Sequence, residues 1–326
     1  MKKYVLGMDG GGTKTHCAIF TLDGKLVDFI TWGRTNHECL SGGYDELRSE
    51  LKKLFSYILD KNGIGVEELG KCVIGLAGVD TKRQHEMISG MIHAAGLKDF
   101  ILCNDSYLGI KAGCESGSGI CAINGTAFCI GGIDPKGNML QIGGLGDIAG
   151  GDFGGGEYLA GKAIAAAYNS LFKGDAETYI TELLFKALKI NSKLDFVEAL
   201  MCGITDGIFK YDSFNRFVFQ AANKNDLVAL AILEDMGREY ARCINAVIAN
   251  LDYNSDRLEV VFAGSVFVKG ENTRAIDRIK QDVRRRNKDR NIVFNILKAP
   301  PVAGAVLWAL EKSGYEGNRE NVLNAF

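Results

Sequence analysis

Two glycine-rich turns in this chain contain the residue types that bind anions. The first runs from Asp9 to Lys14 and the second from Asn124 to Thr126, and each lies between two apolar, strand-like segments. Glycine lets several backbone N–H groups point at one anion, and a threonine hydroxyl adds a further donor. The offset between the turns is the same for three pairs of residues: Gly12 and Gly125, Thr13 and Thr126, and Gly24 and Gly137. The repeat therefore predicts two similar halves whose turns could hold the phosphates of a nucleotide across a cleft.

Two common phosphate-binding motifs do not fit the first turn. A Walker A loop needs Gly-Lys-Ser/Thr, whereas Gly12 is followed by Thr13 and Lys14. A dinucleotide-binding fingerprint needs a third glycine where Thr15 stands and a helix after it, whereas this segment alternates like a strand. A hairpin turn without a ligand is the plain alternative, and the repetition of the turn argues against it.

Two aspartates at the ends of predicted strands could act on a bound nucleotide. Asp9 would repel a phosphate unless Mg²⁺ lay between them, so it is a candidate metal residue, directly or through water. Asp105 follows the apolar segment Phe100–Cys103 and could accept the proton of a substrate hydroxyl that attacks a γ-phosphate. The alternatives are structural, since Asp9 could cap its own turn and Asp105 could cap the next helix.

The spacing of apolar residues predicts an alternation of strands and helices around these aspartates. Strand patterns occupy residues 3–8, 15–22, 25–32, 71–76 and 100–103, and helix patterns occupy residues 44–59, 82–95 and about 104–112. A second group of strands follows over about 119–143, and helices predominate from 157 to 251. The C-terminal part has strand patterns at 258–262 and 291–297, a basic helix at 272–286, and a final helix that opens at Pro300-Pro301. This order is typical of an α/β protein with mixed sheets.

Length and composition limit the classes of protein to which the chain can belong. Its 326 residues suffice for two domains with full cores, and 47% apolar and 24% charged residues are ordinary for a globular protein. The net charge of −2 gives no general attraction to nucleic acid or to membranes. Nine cysteines without a CxxC motif, and no apolar stretch of about 18 residues, lead us to expect a cytoplasmic protein with reduced thiols.

Six segments of the chain resemble those of the N-acetylglucosamine kinase and BadF/BadG/BcrA/BcrD ATPase family, in the same order. They are residues 9–15 (Asp-Gly-Gly-Gly-Thr-Lys-Thr), Thr35-Asn36-His37, Asn104-Asp105, Asn124-Gly125-Thr126, the glycine cluster at 143–156, and residues 261–266 (Val-Phe-Ala-Gly-Ser-Val). The resemblance implies the fold of the sugar kinase, Hsp70 and actin superfamily (the actin-like ATPase fold). In that fold two ribonuclease H-like α/β domains, with mixed five-stranded sheets flanked by helices, enclose a cleft. It further implies an N-terminal domain over 1–117, completed by a C-terminal helix at about 303–326, and a C-terminal domain over 118–302.

The same resemblance implies roles for individual residues. Asp105 would be the catalytic base, beside the metal residue Asp9 that its position already suggests. The nucleotide would be held by Gly10, Gly11, Gly12, Thr13, Lys14, Gly125, Thr126, Gly264 and Ser265. The sugar would be contacted by Asn36, His37, Asp105, Gly144, Leu145, Gly146 and Asp152.

The chain departs from the family pattern at three places. The second phosphate turn usually reads Ser-Gly-Thr-Gly-Ser, but here Asn124 precedes it and Ala127-Phe128 follow, which leaves one loop amide less free. Leu145 stands where a tryptophan is common in the N-acetylglucosamine kinases. The glycine-rich loop is one residue longer than usual, which leaves the register of Asp152 open.

The resemblance implies an ATP-dependent sugar kinase that transfers the γ-phosphate to a hydroxyl of an N-acetylated amino sugar, of the N-acetylglucosamine or N-acetylmuramic acid type. ATP and Mg²⁺ would be its cofactors, a small sugar its partner, and a homodimer its assembly. Two alternatives remain open. An ATPase that activates acyl-CoA dehydratases or reductases would need well-placed thiolates, for which Cys121 and Cys129 beside the second turn are the candidates. A sugar or nucleotide sensor without turnover would explain the altered second turn.

Overall fold

Ten strands form two five-stranded sheets in the computed structural model, which describes residues 1–146, 152–254 and 257–326. The first sheet contains β1 (Tyr4–Gly10), β2 (Thr15–Thr21), β3 (Leu26–Trp32), β4 (Leu69–Leu76) and β5 (Phe100–Cys103). The second contains β6 (Gly119–Asn124), β7 (Phe128–Ile133), β8 (Met139–Gly143), β9 (Arg257–Ala263) and β10 (Asn291–Ile296). Neighbouring strands follow the order β3-β2-β1-β4-β5 in the first sheet and β8-β7-β6-β9-β10 in the second.

The two sheets share one topology. In each, the first strand is antiparallel to the second and parallel to the fourth, and the third strand is antiparallel to the second. The fifth strand of each sheet runs parallel to the fourth. Residues 11–14 join β1 to β2, and residues 125–127 join β6 to β7, so each glycine-rich turn occupies the same place in its sheet. The predicted pair of mixed five-stranded sheets is confirmed.

Twelve α-helices accompany the sheets in the part of the chain that the structure describes. The N-terminal ones are α1 (Gly43–Asn62), α2 (Lys82–Ala94) and α3 (Ser106–Gly113). The central ones are α4 (Gly156–Phe172), α5 (Tyr179–Leu188), α6 (Phe196–Thr205), α7 (Asn215–Ala222) and α8 (Leu227–Asn250). The C-terminal ones are α9 (Ser265–Lys269), α10 (Arg274–Arg286), α11 (Pro301–Glu311) and α12 (Arg319–Leu323). None of these described helices is both long and apolar enough to cross a membrane.

The C-terminal helix expected at about 303–326 is divided in two. α11 ends at Glu311, and the chain then turns at Gly314, whose φ of +82° is a left-handed conformation that glycine adopts without strain. The N–H of Tyr315 donates to the carbonyl of Leu310 at 3.0 Å and closes this turn. The prediction of one uninterrupted helix is therefore wrong, because a glycine turn separates α11 from α12.

The helices form three layers around the two sheets. α1 and α2 cover the outer face of the first sheet, where their apolar side chains pack on Leu6 and Met8 of β1. α3 and α11 fill the space between the sheets, in one cluster that includes Val73 of β4 and Val261 of β9. α4, α5, α7, α8 and α10 cover the outer face of the second sheet. The two halves therefore share their central layer of helices.

Glycines allow α3 to lie close to its neighbours on both sides. A Cβ on Gly304 of α11 would collide with the carbonyl oxygen of Leu108 in α3. A Cβ on Gly113 of α3 would lie 2.7 Å from Cγ1 of Val261 in β9. Because α3 is confined in this way, the residue that precedes it, Asp105, is held in a fixed position relative to both sheets.

The last long helix returns to the first sheet. α11 packs on β1, and a Cβ on Gly7 would lie 2.7 Å from Cγ2 of Val306. This packing supports a division that we propose: a first lobe of residues 1–117 with about 303–326, and a second lobe of residues 118–302. We call the space between the lobes, at the carboxyl ends of β1, β4 and β5, the interlobe cleft.

Candidate active site in the interlobe cleft

The first glycine-rich turn is anchored at its base and open at its tip. The N–H of Gly11 donates to the carbonyl of Lys14 at 3.1 Å, and the carbonyl of Gly11 accepts from the N–H of Thr35 at 3.2 Å. A Cβ on Gly12 would lie 2.7 Å from Sγ of Cys39, so the backbone passes close to that side chain. Thr13 and Lys14 are exposed at the tip, where their polar groups can meet a ligand.

The second glycine-rich turn is packed against the start of α4 and against the Gly264-Ser265 segment, which is also predicted to bind the nucleotide. The carbonyl of Gly125 accepts from the N–H of Gly156 at 2.8 Å, and Oδ1 of Asn124 accepts from the N–H of Gly155 at 2.8 Å. Gly264 has a φ of +86°, and a Cβ there would lie 2.7 Å from the backbone nitrogen of Gly125. The turn, the start of α4 and the Gly264-Ser265 segment are therefore brought together.

The unusual residues of the second turn have structural roles. The side chain of Asn124 is buried and supports the start of α4 through its bond to Gly155. Phe128 begins β7, is 3% exposed, and packs on Tyr240 with ring centroids 4.5 Å apart. Thr126 stays exposed at the tip, like Thr13 in the first turn. The altered residues thus belong to the support of the turn, and its exposed threonine is retained.

An electrostatic interaction links the surroundings of the two turns. Glu157, in the first turn of α4 beside the second glycine-rich turn, is one of the acidic groups that raise the pKa of Cys39, after burial and the charge of Glu38. Cys39 itself lies against Gly12 of the first turn. This influence indicates that the start of α4 lies within electrostatic range of the side chain that contacts the first turn.

Asp105 does not cap the helix that follows it. The carboxylate of Asp105 makes no capping hydrogen bond to α3, and Oδ1 of the preceding Asn104 accepts from the N–H of Ser106 at 2.9 Å. The capping role that was the structural alternative for Asp105 is therefore filled by Asn104. Asp105 as a whole residue is half-buried, just beyond the carboxyl end of β5.

Burial and a neighbouring aspartate raise the pKa values of both Asp105 and Asp9. Burial and the negative charge of Asp80 raise the pKa of Asp105 to about 6. Burial and the negative charge of Asp105 raise the pKa of Asp9 to about 7, against the opposing charge of Lys14. Because both carboxyl groups end strands of one parallel set, they meet at the same edge of the first sheet.

Asp152 shapes the glycine-rich loop that follows β8. Its Oδ2 accepts from the N–H groups of Gly144, Leu145 and Gly146 at 3.0, 3.0 and 3.1 Å. A carboxylate that accepts three backbone bonds fixes the path of a short turn. Residues 147–151 of the same glycine cluster lie outside the described residues.

Asn36 and His37 line the cleft from the segment between β3 and α1. Oδ1 of Asn36 accepts from the N–H of Glu38 at 2.9 Å and lies against Gly78, which follows β4. The ring of His37 is buried and stacks on Tyr44, with centroids 4.2 Å apart and planes 17° apart. Its Nδ1 has no hydrogen-bond partner among the residues that the structure describes. A buried ring nitrogen of this kind suits a polar group of a ligand.

The sequence analysis missed Asp80, which lies after β4. Its Oδ1 accepts from Nδ2 of Asn104 at 2.9 Å and from Nε2 of Gln141, in β8, at 2.5 Å. Asp80 therefore connects the segment that carries Asp105 to the second lobe. The available signal was weak: Asp80 stands several residues after the buried strand pattern that ends at Leu76.

The cysteines beside the second turn are not available to a partner. Cys121 in β6 is fully buried, and Sγ of Cys129 in β7 lies 3.7 Å from Oδ1 of Asn104. Burial raises the pKa of both thiols well above the usual value, so neither is a ready thiolate. This environment argues against the alternative that requires two exposed thiolates.

A cavity of about 720 Å³ lies away from the predicted residues, at the amino ends of β6 and β9. Its charged groups already have partners within the protein. Lys111 pairs with Glu311 at 2.9 Å, and Asp134 accepts from the N–H groups of Lys136 and Asn138. We therefore assign the candidate site to the interlobe cleft and not to this cavity.

The two matching five-stranded sheets, with their flanking helices, define a protein of the actin-like ATPase fold. The chain belongs to the BadF/BadG/BcrA/BcrD ATPase family, which it matches over residues 6–309.

Named relatives of this family are similar to most of the chain. The N-acetylmuramic acid/N-acetylglucosamine kinase of Clostridium acetobutylicum is 33% identical over 267 residues, which cover 81% of this chain and 85% of that protein. A provisionally assigned N-acetylglucosamine kinase from Chromobacterium violaceum has a similar structure, with a TM-score of 0.67, 19% identity, and coverage of 95% of this chain and 99% of that one. A ROK hexokinase from Thermus thermophilus has a TM-score of 0.59 at 16% identity, with the same coverage. The two structural likenesses establish the fold.

Proposed function

We propose that the protein is an ATP-dependent kinase that transfers the γ-phosphate of ATP to a hydroxyl of an N-acetylated amino sugar, of the N-acetylglucosamine or N-acetylmuramic acid type. The observation that carries this proposal is the carboxylate of Asp105, which makes no capping hydrogen bond to α3 and belongs to a segment linked through Asn104 and Asp80 to the second lobe. The name of the relative that is 33% identical supports the substrate class.

Asp105 would act as the general base. It would accept the proton of the sugar hydroxyl while that oxygen attacks the γ-phosphorus and the bond to the bridging oxygen of ADP breaks. A pKa of about 6 leaves its carboxylate ionised at neutral pH and still basic enough to take a proton.

The two glycine-rich turns would hold the nucleotide. We propose that N–H groups of Gly10, Gly11 and Gly12, with Thr13 and Lys14, bind phosphate oxygens from the first lobe. Gly125 and Thr126 would do so from the second lobe, and the adjacent Gly264 and Ser265 would contact the adenosine. The first turn of α4, a 17-residue helix that begins beside Gly125, adds the positive end of a helix dipole to the same region.

Mg²⁺ fits the residues around Asp9. In kinase sites this ion is held by one or two carboxylates together with phosphate oxygens and water. Burial and the charge of Asp105 raise the pKa of Asp9 to about 7 in spite of the opposing charge of Lys14, so a bound cation would stabilise its ionised form. No group of three or more His, Cys, Asp or Glu side chains that could hold a metal occurs among the described residues, so nucleotide oxygens would complete the coordination. A bound ion would screen the phosphate charges.

The sugar would lie between Asn36 and His37 of the first lobe and the loop of Gly144, Leu145 and Gly146 of the second. The unpartnered Nδ1 of His37 offers a buried polar contact. The exposed side chain of Leu145 offers an apolar contact for an acetamido methyl group. Asp152 would act by holding the loop through its three backbone bonds.

We further propose a cytoplasmic location and a homodimer. The nine cysteines are all unpaired, which supports a reducing compartment. The homodimer rests on the family resemblance alone, and sedimentation velocity would test it. We propose no nucleic-acid or membrane partner, in keeping with the net charge of −2.

The function is tested by incubating purified protein with Mg-ATP and single sugars while ADP is measured. We expect ADP formation that depends on N-acetylglucosamine or N-acetylmuramic acid and is far slower with glucose. ADP formation that ignores the sugar, together with bound iron in protein prepared without oxygen, would favour the activator ATPase. Binding of sugar and nucleotide without turnover would favour the sensor.

A further inference from the structure

One oxygen atom of Asp80 receives a hydrogen bond from each lobe. Oδ1 accepts from Nδ2 of Asn104 in the first lobe and from Nε2 of Gln141 in the second. Asn104 immediately precedes Asp105, and Gln141 lies in β8, shortly before the loop that Asp152 holds. This oxygen is therefore a short connection between the proposed base and the proposed sugar loop.

Asp80 is itself held in place through its backbone. Its backbone N–H donates to Oε1 of Gln84 at 3.1 Å, and the N–H of Thr81 donates to the same oxygen at 2.8 Å. Oγ1 of Thr81 accepts from the N–H of Gln84, so the two residues form a capping box at the start of α2. Asp80 is thus fixed to a helix and does not lie on a free loop.

Both partners of Asp80 are tied to elements of the site. Oδ1 of Asn104 binds the N–H of Ser106 at 2.9 Å and accepts from Sγ of Cys129, in β7, at 3.7 Å. On the other side, a Cβ on Gly144 would lie 3.4 Å from Oδ1 of Asp80 and 3.3 Å from Nε2 of Gln141. A shift of either amide would therefore move Asp105 or the glycine-rich loop.

We propose that Asp80 is a positioning residue that couples the second lobe to Asp105, so that base and sugar loop reach their working positions together. This role rests on the proposed kinase function. It assigns to Asp80 no contact with the transferred phosphate. Its effect would be exerted on the sugar and would leave nucleotide binding unchanged, because the contacts of Asp80 lie with Asn104, Gln141 and Gly144 and not with either glycine-rich phosphate turn.

The test is a double-mutant cycle with Asp80→Ala and Gln141→Ala, followed by kcat and KM for the sugar and KM for ATP. We expect each single variant to lower kcat/KM for the sugar by about 10- to 100-fold, since small displacements of a reacting group have effects of this size. The double variant should be no worse than Asp80→Ala, because both changes break one connection. KM for ATP should stay at the wild-type value. Asp60→Ala and Gln281→Ala, at exposed positions, are the matched controls.

A conservative variant separates positioning from loss of folding. Asp80→Asn keeps an oxygen that can accept from both amides, so it should recover most of the activity that Asp80→Ala loses. Circular dichroism and thermal unfolding of every variant identify any that fail to fold.

The outcomes separate this proposal from the kinase proposal. Two results would overturn the role of Asp80 alone, provided that the wild-type protein phosphorylates a sugar. One is an Asp80→Ala variant with wild-type kcat/KM. The other is a double variant whose loss of kcat/KM equals the product of the two single losses. A wild-type protein that phosphorylates none of the sugars would overturn the kinase function, and the positioning role with it.

Discussion

Asp9 lies near the end of β1, and Asp80 and Asp105 follow the neighbouring parallel strands β4 and β5. Burial raises the pKa of each carboxyl group. Three acidic groups at one sheet edge repel one another and destabilise the fold when they are ionised. Such clusters occur where ionisation serves binding or catalysis. The residues that the kinase proposal needs, a base and a cation ligand, are two members of this cluster.

Replacement of the proposed base should abolish most of the turnover. Asp105→Asn keeps the shape of the side chain and removes its ability to take a proton, so kcat should fall by about 10²- to 10⁴-fold. Nucleotide binding, measured by calorimetry with a non-hydrolysable ATP analogue, should stay at the wild-type value. Asp60→Asn, on the exposed face of α1, is the control. Near wild-type turnover of Asp105→Asn would show that another group accepts the proton.

The pH dependence of the reaction should report the raised pKa values. The carboxyl of Asp105 has a pKa of about 6 and must be ionised to act as a base, so kcat/KM for the sugar should fall as the pH drops through this value. Because Asp9 titrates near 7 and interacts with Asp105, the acid limb belongs to the pair and should lie between about pH 6 and 7 in the free enzyme. Rates measured from about pH 5 to 9 at constant ionic strength would check this. An acid limb near pH 4, the ordinary carboxyl range, would contradict the assigned environment.

At the scale of elements, the close packing of α3 on both of its sides fixes the position of Asp105, which precedes it. Gly304 of α11 and Gly113 of α3 allow backbones and branched side chains to approach where a methyl group would not fit. Close packing of this kind makes a helix insensitive to small local motions. The stability of this layer and the geometry of the site should therefore depend on the same glycines.

A methyl group at Gly304 should destabilise the protein. Gly304→Ala places a Cβ against the carbonyl oxygen of Leu108, and we expect a loss of about 1–3 kcal/mol in the free energy of unfolding. Gly90→Ala in α2 is the matched control, because a Cβ there meets open space, and it should stabilise the helix by up to about 1 kcal/mol. Urea unfolding of both variants would measure the two changes. Equal effects would mean that the packing between α3 and α11 does not govern stability.

The elements with strong local patterns could be predicted from the sequence. β1, β2 and β3 have alternating or apolar runs bounded by glycine turns, and α1 has its buried leucines on one face. The five-residue helices α9 and α12 could not be predicted, because each is too short to show a period. The break after α11 depends on Gly314, which a single sequence does not distinguish from a glycine inside a helix.

The candidate site was predictable where its residues lie in compact motifs. Local sequence patterns identify the glycine-rich turns and the aspartates beside strand ends, Asp9 and Asp105. Asp80 does not, because its partners Asn104 and Gln141 are 24 and 61 residues away in the sequence. The role of Asp152 was equally hidden, since its bonds to the loop amides depend on how the chain returns after β8.

At the scale of the whole molecule, two sheets of the same topology lie on either side of helices that pack on both sheets. The central layer of α3 and α11 joins the lobes, and the interlobe cleft opens at the carboxyl ends of β1, β4 and β5. A two-lobed arrangement allows closure over a nucleotide and a sugar, which excludes water and limits idle hydrolysis of ATP. The fate of the γ-phosphate therefore distinguishes a kinase from an ATPase built on the same fold.

The most direct test is to follow that phosphate by ³¹P nuclear magnetic resonance in one sample of protein, Mg-ATP and N-acetylglucosamine or N-acetylmuramic acid. The account predicts that the γ-phosphate signal is replaced by a sugar phosphomonoester signal in equal amount to the ADP formed, with little inorganic phosphate. Release of the γ-phosphate as inorganic phosphate, with no sugar phosphomonoester, would contradict it.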